Sequence, residues 1–204
     1  LGYVLTANHV VQDMGSITVV HNDGHEEQGI VLGRDEVRDL AVLKISGRPD
    51  LPVVKIGDLS QVQVGDRVLA IGFPGFNEEM STTSGVVSAF VLHEIEGYSF
   101  IQTDTPLYSG LSGGPLFTSS GEVIGIINST PAVQAGYAIA IDENALATVS
   151  RLTAGEMNLI AAPVGLGSSR KSPAPLGHTV RIIGPPSFFS EIVRTIHEIS
   201  LEEV

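Results

Sequence analysis

The 204-residue sequence predicts an all-β fold with a closing helix. Three observations carry that reading. Valine and isoleucine are frequent, 23 glycines and 11 prolines punctuate them, and apolar segments of strand length recur through roughly the first 140 residues. With 43% hydrophobic residues the chain is long enough to bury a core, as one large β domain or two small ones.

The first strand set is expected at Tyr3 to Thr6, Ile17 to Val20, Gln28 to Gly33 and Leu40 to Ile45, separated by turn chemistry such as Asn22-Asp23-Gly24. Residues 46–66 hold two prolines, three glycines and only brief apolar patches, and read as a connection. A second set follows at Arg67 to Gly72, Thr83 to Val91, Tyr98 to Thr103, Pro115 to Thr118, Glu122 to Ile127 and Tyr137 to Ile141. Six strands suffice for a small closed barrel. The uncharged run 123–141 contains Asn128, Pro131 and Gln134, so it reads as two strands around a loop rather than a membrane helix. Asp142 then caps a helix with helically spaced apolar residues that ends near Gly155. Residues 162–179, rich in Gly, Ser and Pro, read as a linker. Beyond Pro186, Ser187 can cap a second helix, whose apolar stripe is Phe189, Ile192, Val193, Ile196 and Ile199.

Composition removes several function classes. A net charge of -12 leaves no basic patch for nucleic-acid phosphates and disfavours an anionic membrane surface. The absence of cysteine excludes disulfides and thiolate chemistry, and leaves the compartment undetermined by redox logic. The sequence opens on LGYVLTANHV without methionine, so it is expected to begin inside a larger protein.

Three polar residues stand out beside apolar β segments: His9 in YVLTANHVV, Asp39 in VRDLAVLKI and Ser112 in YSGLSGGPLF. Each alone reads first as an ordinary turn residue. Together, in the order His, Asp, Ser at intervals of 30 and 73 residues, they match one chain order of the hydrolytic triad. A serine hydroxyl is a poor nucleophile until an imidazole takes its proton, and a carboxylate fixes the tautomer of that imidazole and stabilises its cation. The site would form between the two strand sets. The glycines then acquire a purpose: Gly110 lets the backbone N–H groups of Gly110 and Ser112 converge on a developing oxyanion, and Gly113 and Gly114 permit a close return into the next strand. Asp35 and Glu36 are rival carboxylates, but only Asp39 opens an apolar strand. Asp104 reads as a loop residue. His21, His25, Glu26 and Glu27 coincide with a hairpin turn, so no metal site and no cofactor are expected.

The segments GYVLTANHVV, RDLAVLKI, VLAIGFPG, TTSGVVSA, IQTDTPLYSGLSGGPLF, GEVIGI and GYAIAI resemble, in order and spacing, the HtrA/Deg branch of trypsin-like serine proteases over about residues 1–150. The resemblance implies a chymotrypsin-like double β-barrel. It further implies His9 as general base, Asp39 as its orienting carboxylate and Ser112 as nucleophile of a serine endopeptidase acting on unfolded or misfolded polypeptides. An extracytoplasmic location and a homo-oligomer, often a trimer, come with the family. The domain organisation expected is a partial first barrel (1–45), a connection (46–66), a second barrel with closing helix (67–155), and a linker with helix (156–204) that lacks a recognisable PDZ domain.

The family has two further strands ahead of GYVLTANHVV, so the first barrel is expected to be incomplete, with an unpaired edge. Where the family has asparagine before the nucleophile, this chain has Leu111. These departures keep a second reading open, a catalytically silent peptide-binding or assembly module. They also lead to the expectation that this chain alone is catalytically weak. Leu107, Tyr108, Ile127, Asn128 and Ser129 are expected to line the specificity pocket; none is acidic, so Val, Ala or Leu is favoured before the scissile bond over Arg or Lys.

Overall fold

Short alternating apolar segments build two sheets in the computed structural model, which describes residues 2–14, 16–21, 23–46, 53–73, 80–93, 97–108, 110–128, 136–153 and 178–181. The first sheet contains β1 (Tyr3–Ala7), β2 (Ile17–Val20), β3 (Glu26–Asp35) and β4 (Leu40–Lys44), with one helical turn, α1 (Asn8–Val11), directly after β1. The second contains β5 (Arg67–Gly72), β6 (Ser81–His93), β7 (Tyr98–Thr103), β8 (Pro115–Thr118), β9 (Val123–Asn128) and β10 (Gly136–Ala140), closed into a barrel in the order β10-β7-β6-β5-β8-β9. Every strand position expected from sequence is occupied, and the helix α2 (Glu143–Thr153) starts where Asp142 accepts a hydrogen bond from the Ala145 N–H at 2.9 Å.

The first sheet is open, as expected for an incomplete barrel, but one edge differs from the expectation. A fifth strand, β11 (His178–Arg181), runs parallel to β2, giving the order β1-β4-β3-β2-β11. The end of the stretch that composition marks as linker is therefore strand. The physical reason is the edge itself, since the backbone donors and acceptors along β2 are satisfied by an extended segment of any sequence. The rest of that stretch and the amphipathic segment after Ser187 lie outside the described residues.

The two halves share one apolar seam. Ala7 and Leu40, direct partners across β1 and β4, are buried together with Leu69, Ile71, Phe117, Val123, Ile126 and Ile139 of the barrel. A separate cluster fills the barrel interior, including Val87, Ile101, Leu116, Ile124 and Ile127, and a third lies under the first sheet around Val19, Ala41 and Leu43. Helix α2 follows the barrel in sequence yet packs back on β3. Buried Leu152 lies against Gly33, and a Cβ at Gly33 would sit 2.5 Å from Leu152 Cδ2. The helix thus clasps the two halves.

The His21 cluster is a structural pin. His21 Nε2 and Glu27 Oε1 are 2.6 Å apart, and Glu27 Oε2 accepts from the Ser46 N–H at 2.7 Å. Burial alone would raise the Glu27 carboxyl, but the hydrogen bonds from His21 and Ser46 outweigh it and hold it below its usual range. Asp104 also has a structural task, because its Oδ1 accepts from the Val86 N–H at 2.7 Å beside the bulge in β6.

Truncating the helical clasp should destabilise the whole fold. Leu152→Ala is expected to cost about 2–5 kcal/mol in urea denaturation, the range for emptying a buried leucine site; a loss below about 1 kcal/mol would show that α2 is not part of the cooperative unit.

Candidate active site

The site begins with the Ala7–Leu40 pair. Because both residues are locked into the seam, the chain segments that leave them, Asn8-His9 on one side and Asp39 on the other, are held next to each other at the barrel's edge. The Asn8 N–H donates to the Asp39 carbonyl at 2.8 Å, and α1 then leaves His9 half-buried. Asp39 has φ +55°, the left-handed region that asparagine and aspartate tolerate best among residues with a side chain.

That conformation is prepared by the preceding turn. Asp35, buried at the end of β3, accepts from the N–H groups of Val37 and Arg38 at 3.1 and 3.0 Å, and its other oxygen pairs with Arg38 Nη1 at 2.9 Å. An aspartate bonded to the backbone two and three residues on is a local turn-maker. Asp35 therefore shapes the turn and Glu36 is exposed, while Asp39 is the carboxylate delivered to the imidazole.

Asp39 Oδ1 accepts from the backbone N–H of His9 at 2.8 Å, and Oδ2 lies 2.6 Å from His9 Nδ1. A carboxylate can only accept, so Nδ1 carries the proton and Nε2 is left as the basic nitrogen of the neutral ring. The hydrogen bond to Asp39 raises the His9 pKa above its ordinary 6.5, burial opposes that rise, and the carboxylate's charge adds to it. Oδ2 receives a further donor from the barrel, Asn128 Nδ2 at 3.1 Å.

The loop carrying Ser112 packs against the same corner. Gly110 and Gly113 have φ of +96° and +80°, and a Cβ at Gly113 would collide with Thr6 Oγ1 while lying 3.2 Å from the Ala7 N and 3.3 Å from Val10 Cγ2. A Cβ at Gly114 would strike the Ile71 carbonyl. The two residues after Ser112 are thus wedged between the end of β5 and the β1–α1 junction, which only glycine allows. The Gly113 N–H donates to the Ile127 carbonyl and the Ile127 N–H to the Gly114 carbonyl, both at 2.8 Å, stitching the loop to β9. Leu111 is fully buried in the barrel core, its Cδ2 2.8 Å from where a Cβ at Gly72 would be. It anchors the loop by burial.

The residues expected to face substrate are placed differently from one another. Tyr108 is exposed and Leu107 half-buried, whereas Ile127 has no exposed surface and backs the barrel core. Asn128 is half-buried with its amide committed to Asp39, and Ser129 lies outside the described residues. The Asn128 link joins residues 89 apart in sequence and has no local signature. The Asp35 turn could have been read from an aspartate ending a strand four residues before Asp39.

Residues 1–126 match the trypsin-like peptidase domain. A probable periplasmic serine endoprotease of DegP-like type from Pseudomonas putida (strain GB-1) is 48% identical over 127 residues, 61% of this chain and 26% of the relative. A DegP-like relative from Pseudomonas fluorescens is 39% identical over 176 residues, 80% of this chain and 36% of the relative. Among solved structures, the HtrA-type protease AlgW with a decapeptide superposes with a TM-score of 0.68 at 34% identity, covering 75% of this chain and 49% of that one. The chain thus spans about a quarter to a third of the length of these curated relatives.

Because Asp39 stabilises the charged imidazole, His9 should titrate above 6.5 when followed by NMR, and Asp39→Asn should bring its midpoint down. The sign for folding follows: the pair's stabilisation is complete at pH below the unfolded histidine value and is lost as pH rises through the raised folded one. An unchanged His9 midpoint in Asp39→Asn would contradict the geometry.

Proposed function

Because the chain belongs to the trypsin-like peptidase domain family, we propose that it is the catalytic part of a serine endopeptidase that cleaves unfolded polypeptides through an acyl-enzyme. The observation that carries this reading is the 2.6 Å contact between Asp39 and His9 Nδ1, set beside a glycine-wedged loop bearing a serine. In this reading Ser112 Oγ attacks the scissile carbonyl carbon as its proton passes to His9 Nε2. The backbone N–H groups of Gly110 and Ser112 stabilise the oxyanion, and the imidazolium, steadied by Asp39, protonates the departing amine. Water then enters, gives its proton to His9, and releases the acyl group from Ser112. His9 must be neutral to begin, so kcat/KM should rise with pH through a midpoint above that of an ordinary histidine.

The relatives are named as endoproteases, the similar solved HtrA-type protease AlgW carries a decapeptide, and nothing in them favours the silent binding module. Their periplasmic naming supports a location outside the cytoplasm, and homo-oligomeric assembly, trimeric in the family the sequence resembles, belongs to the same proposal. His9 is tied to Asp39 through both backbone and side chain, which supports the endopeptidase reading.

Two experiments test the proposal. A fluorophosphonate should label Ser112 in the wild-type chain and leave Ser112→Ala unlabelled at unchanged melting temperature; equal labelling of both would overturn the assignment. In a peptide library, cleavage should follow Val, Ala or Leu, because Leu107 and Tyr108 offer apolar surface and no carboxylate stands among the expected pocket residues. Preferential cleavage after Arg or Lys would refute that specificity.

A further inference from the structure

Which backbone groups of β2 face outward follows from its pairing with β3. The His21 N–H donates to the His25 carbonyl at 2.8 Å just beyond the strand, and the register Val19↔Glu27 and Ile17↔Gly29 continues that hydrogen-bonded series at every second residue. Thr18 and Val20 therefore turn their N–H and C=O groups away from β3, to the edge where β11 lies. In a parallel ladder a residue bonds to the two neighbours of its Cα partner, so the backbone of Thr18, opposite Thr179, meets that of His178 and Val180.

The edge is preformed. Ile17 and Val19 are buried under the first sheet, and the His21–Glu27–Ser46 pin fixes the end of the strand. It is also undefended: every residue of β2 is β-branched, none is charged or proline, and no bulge interrupts its pairing with β3. Its cover is slight by comparison. β11 is four residues long, ends the strand order, forms the only parallel strand pair among the described residues, and hangs on the connection 154–177.

We propose that the outer edge of β2 is a second polypeptide-binding site, which takes an extended segment of an unfolded chain in parallel with Thr18 and Val20, and that β11 is its built-in occupant. The class of ligand follows from the bonds, because the edge offers a row of backbone donors and acceptors that an extended polypeptide of any sequence satisfies. The register of β11 shows how such a segment lies. The tether gives β11 an effective concentration on the order of millimolar, so a free segment binds by competing with it. The consequence for turnover rests on the serine-endopeptidase reading, in which a strand held on β2 tethers a long substrate to the enzyme; the binding itself does not.

The test uses the full chain with Ser112→Ala, so that nothing is cleaved, and a fluorescent peptide of residues 176–183. Val180→Pro removes the β11 N–H that faces Thr18. It should tighten peptide binding about tenfold or more in fluorescence anisotropy, because the edge is no longer largely occupied. Adding Thr18→Pro, which removes an outward N–H of β2 and none of its bonds to β3, should abolish that gain. Unchanged affinity in Val180→Pro, or a gain that survives Thr18→Pro, overturns the proposal. So does a dimer that Val180→Pro dissociates in sedimentation, which would give the edge to a second copy of this chain. Should a proline variant fail to fold, hydrogen exchange in the Ser112→Ala chain decides: the Thr18 and Val20 amides should exchange faster than those of Ile17 and Val19 and slow when peptide is added, and peptide without effect on them overturns the site. With Ser112 restored, Val180→Pro should raise kcat/KM several-fold for an unfolded protein and leave a short peptide that spans only the cleft unchanged; an equal change on both substrates overturns the assignment to substrate. A chain that binds the peptide at β2 yet cleaves nothing would sink the endopeptidase reading and keep the edge site.

Discussion

The Asp39 carboxylate is the constraint around which the described structure is arranged. It takes the His9 backbone N–H, the His9 ring N–H and the Asn128 amide, while its own carbonyl takes the Asn8 N–H. A carboxylate taken partly out of water is tolerable only when donors replace its hydration, and these donors come from α1 of the open sheet and β9 of the barrel. The residue also sits in a left-handed backbone conformation that costs about 1 kcal/mol. The Asp35 turn before it and the buried Leu40 after it hold that conformation in place. Removing any of these supports would leave the imidazole without a defined partner, so local turn chemistry and long-range packing serve the same few atoms.

The glycine-rich loop follows the opposite logic. Around Asp39, side chains are added to satisfy a charge; around Ser112, they are taken away to let backbones meet. Gly113 passes against Thr6 and Val10, Gly114 against Ile71, and Gly72 against Leu111, so side chains at these points would separate the open sheet from the barrel or lift the loop off β5. Leu111 compensates for the lack of bulk around it. A fully buried leucine in the middle of a flexible composition gives the loop an apolar anchor and limits how far the adjacent serine can move.

The first sheet shows how an open edge is managed. Its seam side is buried and shared with the barrel, and its outer side is extended by β11, which returns from late in the chain to run parallel to β2. Parallel pairing at that edge needs a long connection, and the residues between α2 and β11 provide the length. Helix α2 makes the other return, from the barrel onto β3, and seats Leu152 over Gly33. Two segments that follow the barrel in sequence therefore stabilise the half that precedes it.

What the sequence determined by itself is everything whose cause is local or periodic. Alternation and turn residues located all ten strands through β10, the Asp142 cap located α2, and residue type with spacing singled out His9, Asp39 and Ser112. Recurrent motifs carried the family and with it the double-barrel architecture. Tertiary structure alone decided what depends on contacts between distant segments. Asp35 became a turn-maker because its oxygens found Val37 and Arg38, Ile127 became core because barrel closure left it no surface, and Asn128 turned to Asp39 because the seam brings β9 beside the β3–β4 turn. The β2 edge accepted β11 for a reason no residue code expresses: backbone hydrogen bonding is indifferent to side chain, so strand addition is chosen by which edge lies within reach. Local propensity is written residue by residue, whereas register between two halves is a property of their packing and exists only once both have folded.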